Sequence, residues 1–198
     1  MFGIGIDLGK MRNPTTIAIV HRPDTFARTV LMRPYTVISE RRTGPSALVY
    51  LATVRLGTSY VDVVERIRQV ARHEALGGQA RRVVVDATGV GLPVVDMLRR
   101  AKLGCELRPV TITGGTGERH SSGTYYVAKT DLMAGLRARL ELKELEIAEG
   151  LAEWAEFRKQ MVGFGTAAQD DLVLAVALAV WGVKGSQYGE RSDGPMTG

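Results

Sequence analysis

The chain begins with a two-residue period and later changes to a helical one. Phe2, Ile4 and Ile6 fall on one side of a run ending at Asp7, as a half-buried strand requires. Leu8 to Pro14 contains Gly9, Asn13 and Pro14, residues that favour a turn. Thr15 to His21 is apolar and β-branched and predicts a second strand. Arg28 to Ser39 and Ala47 to Leu56 predict two more, separated by a basic turn over Glu40 to Pro45. The opening is therefore expected to be an antiparallel meander.

From Tyr60 the apolar positions Val61, Val64, Ile67, Val70 and Ala71 recur at helical spacing, predicting a helix to about Ala75 that stops at Gly77-Gly78. Arg82 to Asp86 carries three consecutive valines and predicts a buried strand. Val90 to Ala101 predicts a helix and Cys105 to Thr113 a strand. A Gly-rich loop is expected over Gly114 to Gly123, then a short strand at Thr124 to Val127. Helices are expected over Thr130 to Leu142, Leu151 to Met161 and Asp170 to Trp181, with a short strand over Leu145 to Ala148. Lys184 to Gly198 is rich in Gly and Ser and reads as a disordered tail, leaving 1–183 as one domain. Strands first, then alternating strands and helices, predict an α/β domain. Its central mixed sheet would be an antiparallel meander followed by parallel βα units, flanked by helices. An RNase H-like fold has this topology.

Composition narrows the class. The chain has 198 residues, 45 % hydrophobic and 24 % charged, which suits a globular domain and excludes a disordered or fibrous chain. The apolar run Leu172–Gly182 is too short to span a bilayer. The first residues have neither a basic leader nor a cleavable apolar stretch. One cysteine, Cys105, excludes an internal disulfide and a thiolate metal cluster, and a reducing, cytoplasmic setting is expected. The net charge of +5 comes mostly from 20 arginines against 6 lysines, which favours a polyanionic partner.

Acids stand at three element ends. Asp7 closes the first strand inside Gly3-Ile4-Gly5-Ile6-Asp7-Leu8-Gly9, where the glycines are expected to leave room for a bulky ligand. Asp86 closes the valine strand ahead of Ala87-Thr88-Gly89, at the strand end where α/β proteins place ligands. The bland alternative is that Asp86 only caps that turn. Asp170 and Asp171 precede a helix so apolar that it must be buried. One of them is expected to cap it, leaving the other facing a crowded interior, where an unpaired carboxylate is costly. If these acids converge, their all-oxygen donor set suits Mg²⁺ or Mn²⁺ and not zinc. Two such ions roughly 4 Å apart can hold a phosphodiester and activate water.

Three blocks in order resemble the nuclease domain of the large terminase subunit, the DNA-packaging motor of tailed phages. They are Gly3–Gly9 with the strand Thr15–Val20, then Val84–Gly91 with Pro93-Val94-Val95, then Gln169–Ala179. Lys129-Thr130-Asp131-Leu132 ahead of a helix also recurs in that family. The resemblance spans residues 3 to about 182. It implies an RNase H-like fold and an endonuclease that cuts double-stranded DNA with two divalent ions, Mg²⁺ or Mn²⁺. It also implies Asp7, Asp86 and Asp171 as metal ligands and catalytic residues, with Asp170 as the alternative third ligand. Gln169 replaces the histidine the family often has before the acid pair. No G-x-x-x-x-G-K-[ST] occurs, so a packaging ATPase domain would be separate, alongside a portal and a small terminase subunit as further partners. The expected location is the host cytoplasm.

Around these blocks, Arg119 and His120 in the Gly-rich loop, and Lys129, are candidate DNA contacts. The bland alternatives are a solvated loop and a surface lysine. Thr130 is expected to cap its helix. The doublets Arg41-Arg42, Arg81-Arg82 and Arg99-Arg100 read mainly as solvated faces. Two other readings share the core fold. One is a Holliday-junction resolvase. The other is an actin-like or sugar-kinase-type ATP-binding domain, whose first phosphate loop also reads Gly-Ile-Asp-Leu-Gly but which needs further nucleotide loops not evident here.

Overall fold

The strand predicted over Phe2 to Asp7 is β1 (Phe2–Asp7), fully buried and central in an eight-stranded sheet. The computed structural model describes residues 1–9, 13–23, 26–32, 36–42, 44–89, 91–163 and 170–184, and for 26–32, 36–42, 91 and 92 it gives the backbone course only. Of the expected tail, Lys184 is described, its N–H donating to the Trp181 carbonyl; residues 185–198 and Gln169 lie outside the described residues. The remaining strands are β2 (Thr16–His21), β3 (Phe26–Met32), β4 (Thr36–Arg42), β5 (Ser46–Thr53), β6 (Arg81–Asp86), β7 (Glu106–Thr113), β8 (Glu118–Ser121), β9 (Thr124–Ala128) and β10 (Leu145–Ile147). The helices are α1 (Tyr60–Ala71), α2 (Gly91–Arg100), α3 (Lys129–Glu141), α4 (Trp154–Val162) and α5 (Asp171–Gly182).

The large sheet runs β10-β5-β2-β1-β6-β7-β9-β8. β1 pairs antiparallel with β2, and β2 with β5, which is the expected meander. β1, β6, β7 and β9 are mutually parallel. Between β2 and β5 the chain departs from expectation. The segment read as one strand over Arg28 to Ser39 is a hairpin, β3 with β4, forming its own two-stranded sheet with Arg28 opposite Glu40. Glu40, Arg41 and Arg42 belong to β4 and not to a turn. The sequence signal for the break is Pro34, which cannot donate to a ladder. The helix expected to Ala75 ends at Ala71, and a 3-10 turn covers Glu74–Leu76, with the His73 ring accepting from the Ala75 N–H.

The Gly-rich segment also differs from a simple loop. Glu118–Ser121 forms β8, antiparallel to β9, and the turn between them sits on Ser122 and Gly123. Both have positive φ, 50° and 73°, the combination that a two-residue hairpin turn demands.

Helices cover both faces. α1 and α2 pack over Phe2, Ile4, Ile6, Ile17, Ile19, Val83 and Val85. The other face, carrying Ala18, Val20 and Val84, meets α5, with α3 and α4 outside it. Every residue of α5 is buried. At roughly 1.5–3 kcal/mol for each fully buried Leu or Val, this helix is a main source of core stability.

Gly3 and Gly5 point toward α5. A Cβ on Gly5 would collide with the Ala175 carbonyl oxygen and the Ala179 nitrogen, and one on Gly3 with the Ala179 carbonyl oxygen. The glycines thus make room for a helix backbone, not for a bulky ligand as expected. Gly5→Ala is predicted to destabilise the fold by about 3 kcal/mol or more, because backbone must shift on both sides. Denaturant unfolding checks this, and an unchanged midpoint would contradict the packing.

Candidate functional site

Strand parity assembles the acids. Side chains alternate along β1, so Asp7 shares the α5-facing side with Gly3 and Gly5. On β6, Asp86 shares that side with Val84. Ile6 lies beside Val85 in the parallel ladder, so Asp7 and Asp86 end neighbouring strands on one face. α5 approaches this end with its N-terminus and brings Asp170 and Asp171. Asp7 (8 % exposed) and Asp171 (9 %) are buried.

Among the described residues the acids outnumber the cations that meet them. Burial and the nearby charges of Asp86, Asp171 and Asp170 push the Asp7 carboxyl up to about 8. The carboxyls of Asp7 and Asp171 lie within hydrogen-bonding reach of each other. Burial also raises Asp171, opposed by the Asn13 amide, whose Nδ2 donates to Asp171 Oδ1 at 3.2 Å. Asp86 Oδ1 accepts from the Thr88 N–H at 2.7 Å, and Thr88 Oγ1 accepts from the Ile112 N–H. The capping reading of Asp86 and its place beside Asp7 therefore both hold.

Asp170 occupies the N-cap position of α5, yet its side chain makes no capping bond. It pairs instead with Lys129 Nζ at 2.5 Å. The expectation that one acid of the pair caps the helix fails because the ammonium is the stronger partner for Oδ2. Lys129 begins α3, whose first turn is sewn to the preceding loop. Thr130 Oγ1 donates to the Gly115 carbonyl, and the Gly117 N–H donates to Asp131 Oδ2. Thr130 is thus not the cap expected of it; Ala128 holds the N-cap position.

Arg119 and His120 are not gathered with the acids. They sit on β8, the outermost strand, three strand spacings (roughly 14 Å) from β6. Arg119 lies over the Tyr126 ring at 4.1 Å, and His120 stacks on Tyr125 at 4.3 Å.

Two residues near the acids were not singled out for chemistry in the sequence. Asn13 reads only as a turn residue there. Gly9 lets the chain fold back tightly, since a Cβ on it would strike the Asn13 carbonyl oxygen. Thr16 faces Asp7 directly across the β1–β2 ladder and is fully buried. Its Oγ1 is the one buried side-chain polar atom without a hydrogen-bond partner among the described residues. Such an orphan costs about 1–3 kcal/mol. The parity of β2 groups it with Ala18 and Val20, and only the register of the ladder sets it beside Asp7.

Among the described residues, no three His, Cys, Asp or Glu side chains form a ready-made metal-binding group. Asp86, Asp170 and Asp171 each have a partner of their own, the Thr88 N–H, Lys129 and Asn13. The donor chemistry still fits a hard divalent cation. It is all carboxylate and hydroxyl oxygen, carries excess negative charge, and keeps one buried hydroxyl unsatisfied.

No family model and no curated protein matches the sequence. Solved structures do match. The human cytomegalovirus terminase nuclease domain, Mn-soaked and inhibitor-bound, aligns over 91 % of this chain and 83 % of its own at 12 % identity, with a TM-score of 0.53. The g2p large terminase nuclease domain of bacteriophage SPP1, with bound Mn, aligns over 90 % of this chain and 84 % of its own at 13 % identity, also at 0.53. This chain therefore has the RNase H-like fold of the terminase nuclease domains.

Proposed function

We propose that the chain is a divalent-metal-dependent endonuclease for double-stranded DNA, acting in viral genome packaging together with an ATPase domain, a portal and a small terminase subunit. The observation that carries this reading is the convergence of Asp7, Asp86 and Asp171 at one sheet end, on a fold whose solved relatives include one with bound Mn. Asp7, Asp86 and Asp171 would hold Mg²⁺ or Mn²⁺, two ions in all. Asp171 is preferred to Asp170 because it faces Asp7, whereas Asp170 is engaged by Lys129. The bound ions would polarise the scissile phosphate and activate water.

The chain's own residues set up that chemistry. Asn13 and Thr88 N–H orient Asp171 and Asp86. Lys129 places a cation at the rim of the acids, where a phosphate oxygen can meet it. Arg119 and His120, on the outer hairpin, would touch the duplex backbone farther along, without sequence preference and with marked salt sensitivity.

Two experiments test this. Supercoiled plasmid is expected to be nicked and linearised with Mn²⁺ or Mg²⁺ and left intact in EDTA. Asp86→Asn, still folded by circular dichroism, is expected to lose activity by ~100-fold or more. Equal cleavage by that variant would remove Asp86 from the site.

The second is thermal unfolding against pH without metal. The Asp7 carboxyl titrates near 3.8 when unfolded and about 8 when folded. The unfolded chain therefore releases this proton first as pH rises, and stability falls between about pH 4 and pH 8. Asp7→Asn is expected to remove that slope and to raise Tm by several degrees at neutral pH. Mn²⁺ is expected to stabilise the wild type and not the variant. A wild type whose Tm shows no such slope would overturn the electrostatic description of Asp7.

A further inference from the structure

We infer that Thr16 is a positioning residue for the metal-loaded site, its hydroxyl serving as the hydrogen-bond donor that fixes the Asp7 carboxylate. The inference rests on the metal-binding reading above. Its ground is a mismatch between Thr16 and its surroundings. Thr16 is fully buried in the second strand of a well-paired sheet, and β2 is otherwise apolar along its buried face, with Ala18 and Val20 against α5. A β-branched residue suits that place, but the hydroxyl does not, because Oγ1 has no partner. Valine would offer the same shape without the orphan.

The register supplies what the hydroxyl is for. Asp7 and Thr16 are direct partners in the antiparallel β1–β2 ladder. Side chains of such a pair project to the same face with Cβ atoms about 5 Å apart. On the other side of Thr16 lies Thr53 of β5, whose own hydroxyl is committed to Glu153 at 2.8 Å. Asp7 is the ionisable partner of Thr16 in the ladder, and a carboxylate is a stronger acceptor for a hydroxyl than the neutral Thr53 oxygen. The Asp7 and Asp171 carboxyls lie within hydrogen-bonding reach of each other. Were Asp7 to serve as a ligand of a divalent ion, its carboxylate would be fully ionised and an oxygen of it would be available to the Thr16 hydroxyl. The hydroxyl then gains its acceptor and holds the carboxylate in its ligating orientation, as groups behind metal ligands commonly do.

Thr16→Val and Thr16→Ser test this, with Mn²⁺ titrated by calorimetry and Tm measured with and without the ion. Without metal, Thr16→Val is expected to be as stable as the wild type or more so, because an unsatisfied hydroxyl has gone. With Mn²⁺ it is expected to bind ~10–100-fold more weakly, and Thr16→Ser is expected to recover most of that loss. A hydroxyl that merely supported the fold would give the reverse pattern, a lower Tm without metal and an unchanged Mn²⁺ affinity, and that result overturns the inference. Unchanged affinity in Thr16→Val with normal binding by the wild type rejects the role of Thr16 alone. A wild type that binds no Mn²⁺ rejects the metal-site reading and the inference with it.

Discussion

The site depends on how closely α5 lies against β1. Gly3 and Gly5 remove the two side chains that would hold the helix away, and Ala175 and Ala179 present backbone to backbone across the gap. Gly182 continues the same contact, since a Cβ there would come 2.8 Å from Val84 Cγ2. With no Cβ at these positions the helix backbone meets the strand backbone, and the N-terminus of α5 arrives at the ends of β1 and β6. The alternation that gives glycine at 3 and 5 also turns Asp7 to the same face, so one parity determines both the packing and the chemistry.

That closeness has an electrostatic price. Four carboxylates end near one another, two of them buried, and Lys129, among the described residues, pairs with Asp170. The molecule accommodates the excess by keeping Asp7 protonated into the neutral range and by turning Asp86, Asp170 and Asp171 to partners of their own. Each of these arrangements is local, a single hydrogen bond or ion pair at the site and not part of the packing of α5 on β1.

Much of this was legible in the sequence, and the failures have physical causes. The period-2 run ending in Asp7, the valine strand ending in Asp86 and the apolar helix after Asp170-Asp171 located the three acids, because strand and helix periodicity survive burial. Register across strands is invisible along the chain, so Thr16 was passed over although it sits opposite Asp7. The glycines were read as room for a bulky ligand, whereas the space they leave is filled by the backbone of α5, which no local pattern announces. Caps were misjudged where a competing partner exists. Lys129, 41 residues from Asp170, takes the oxygen that local rules would give to the helix. The β3–β4 hairpin was read as one strand because Thr29 to Ile38 remains β-prone through its Pro34 break.

α5 lies near the end of the chain, whereas its backbone partner β1 lies at the start, more than 160 residues earlier. Contacts of such sequence separation form late, because closing the loop costs entropy before any contact repays it. β1 and β6 can pair as soon as both exist, and they place Asp7 beside Asp86. The third acid joins only when the last described helix docks. The acid cluster is therefore complete only in a chain whose α5 has docked on β1, the same contact that covers one whole face of the sheet.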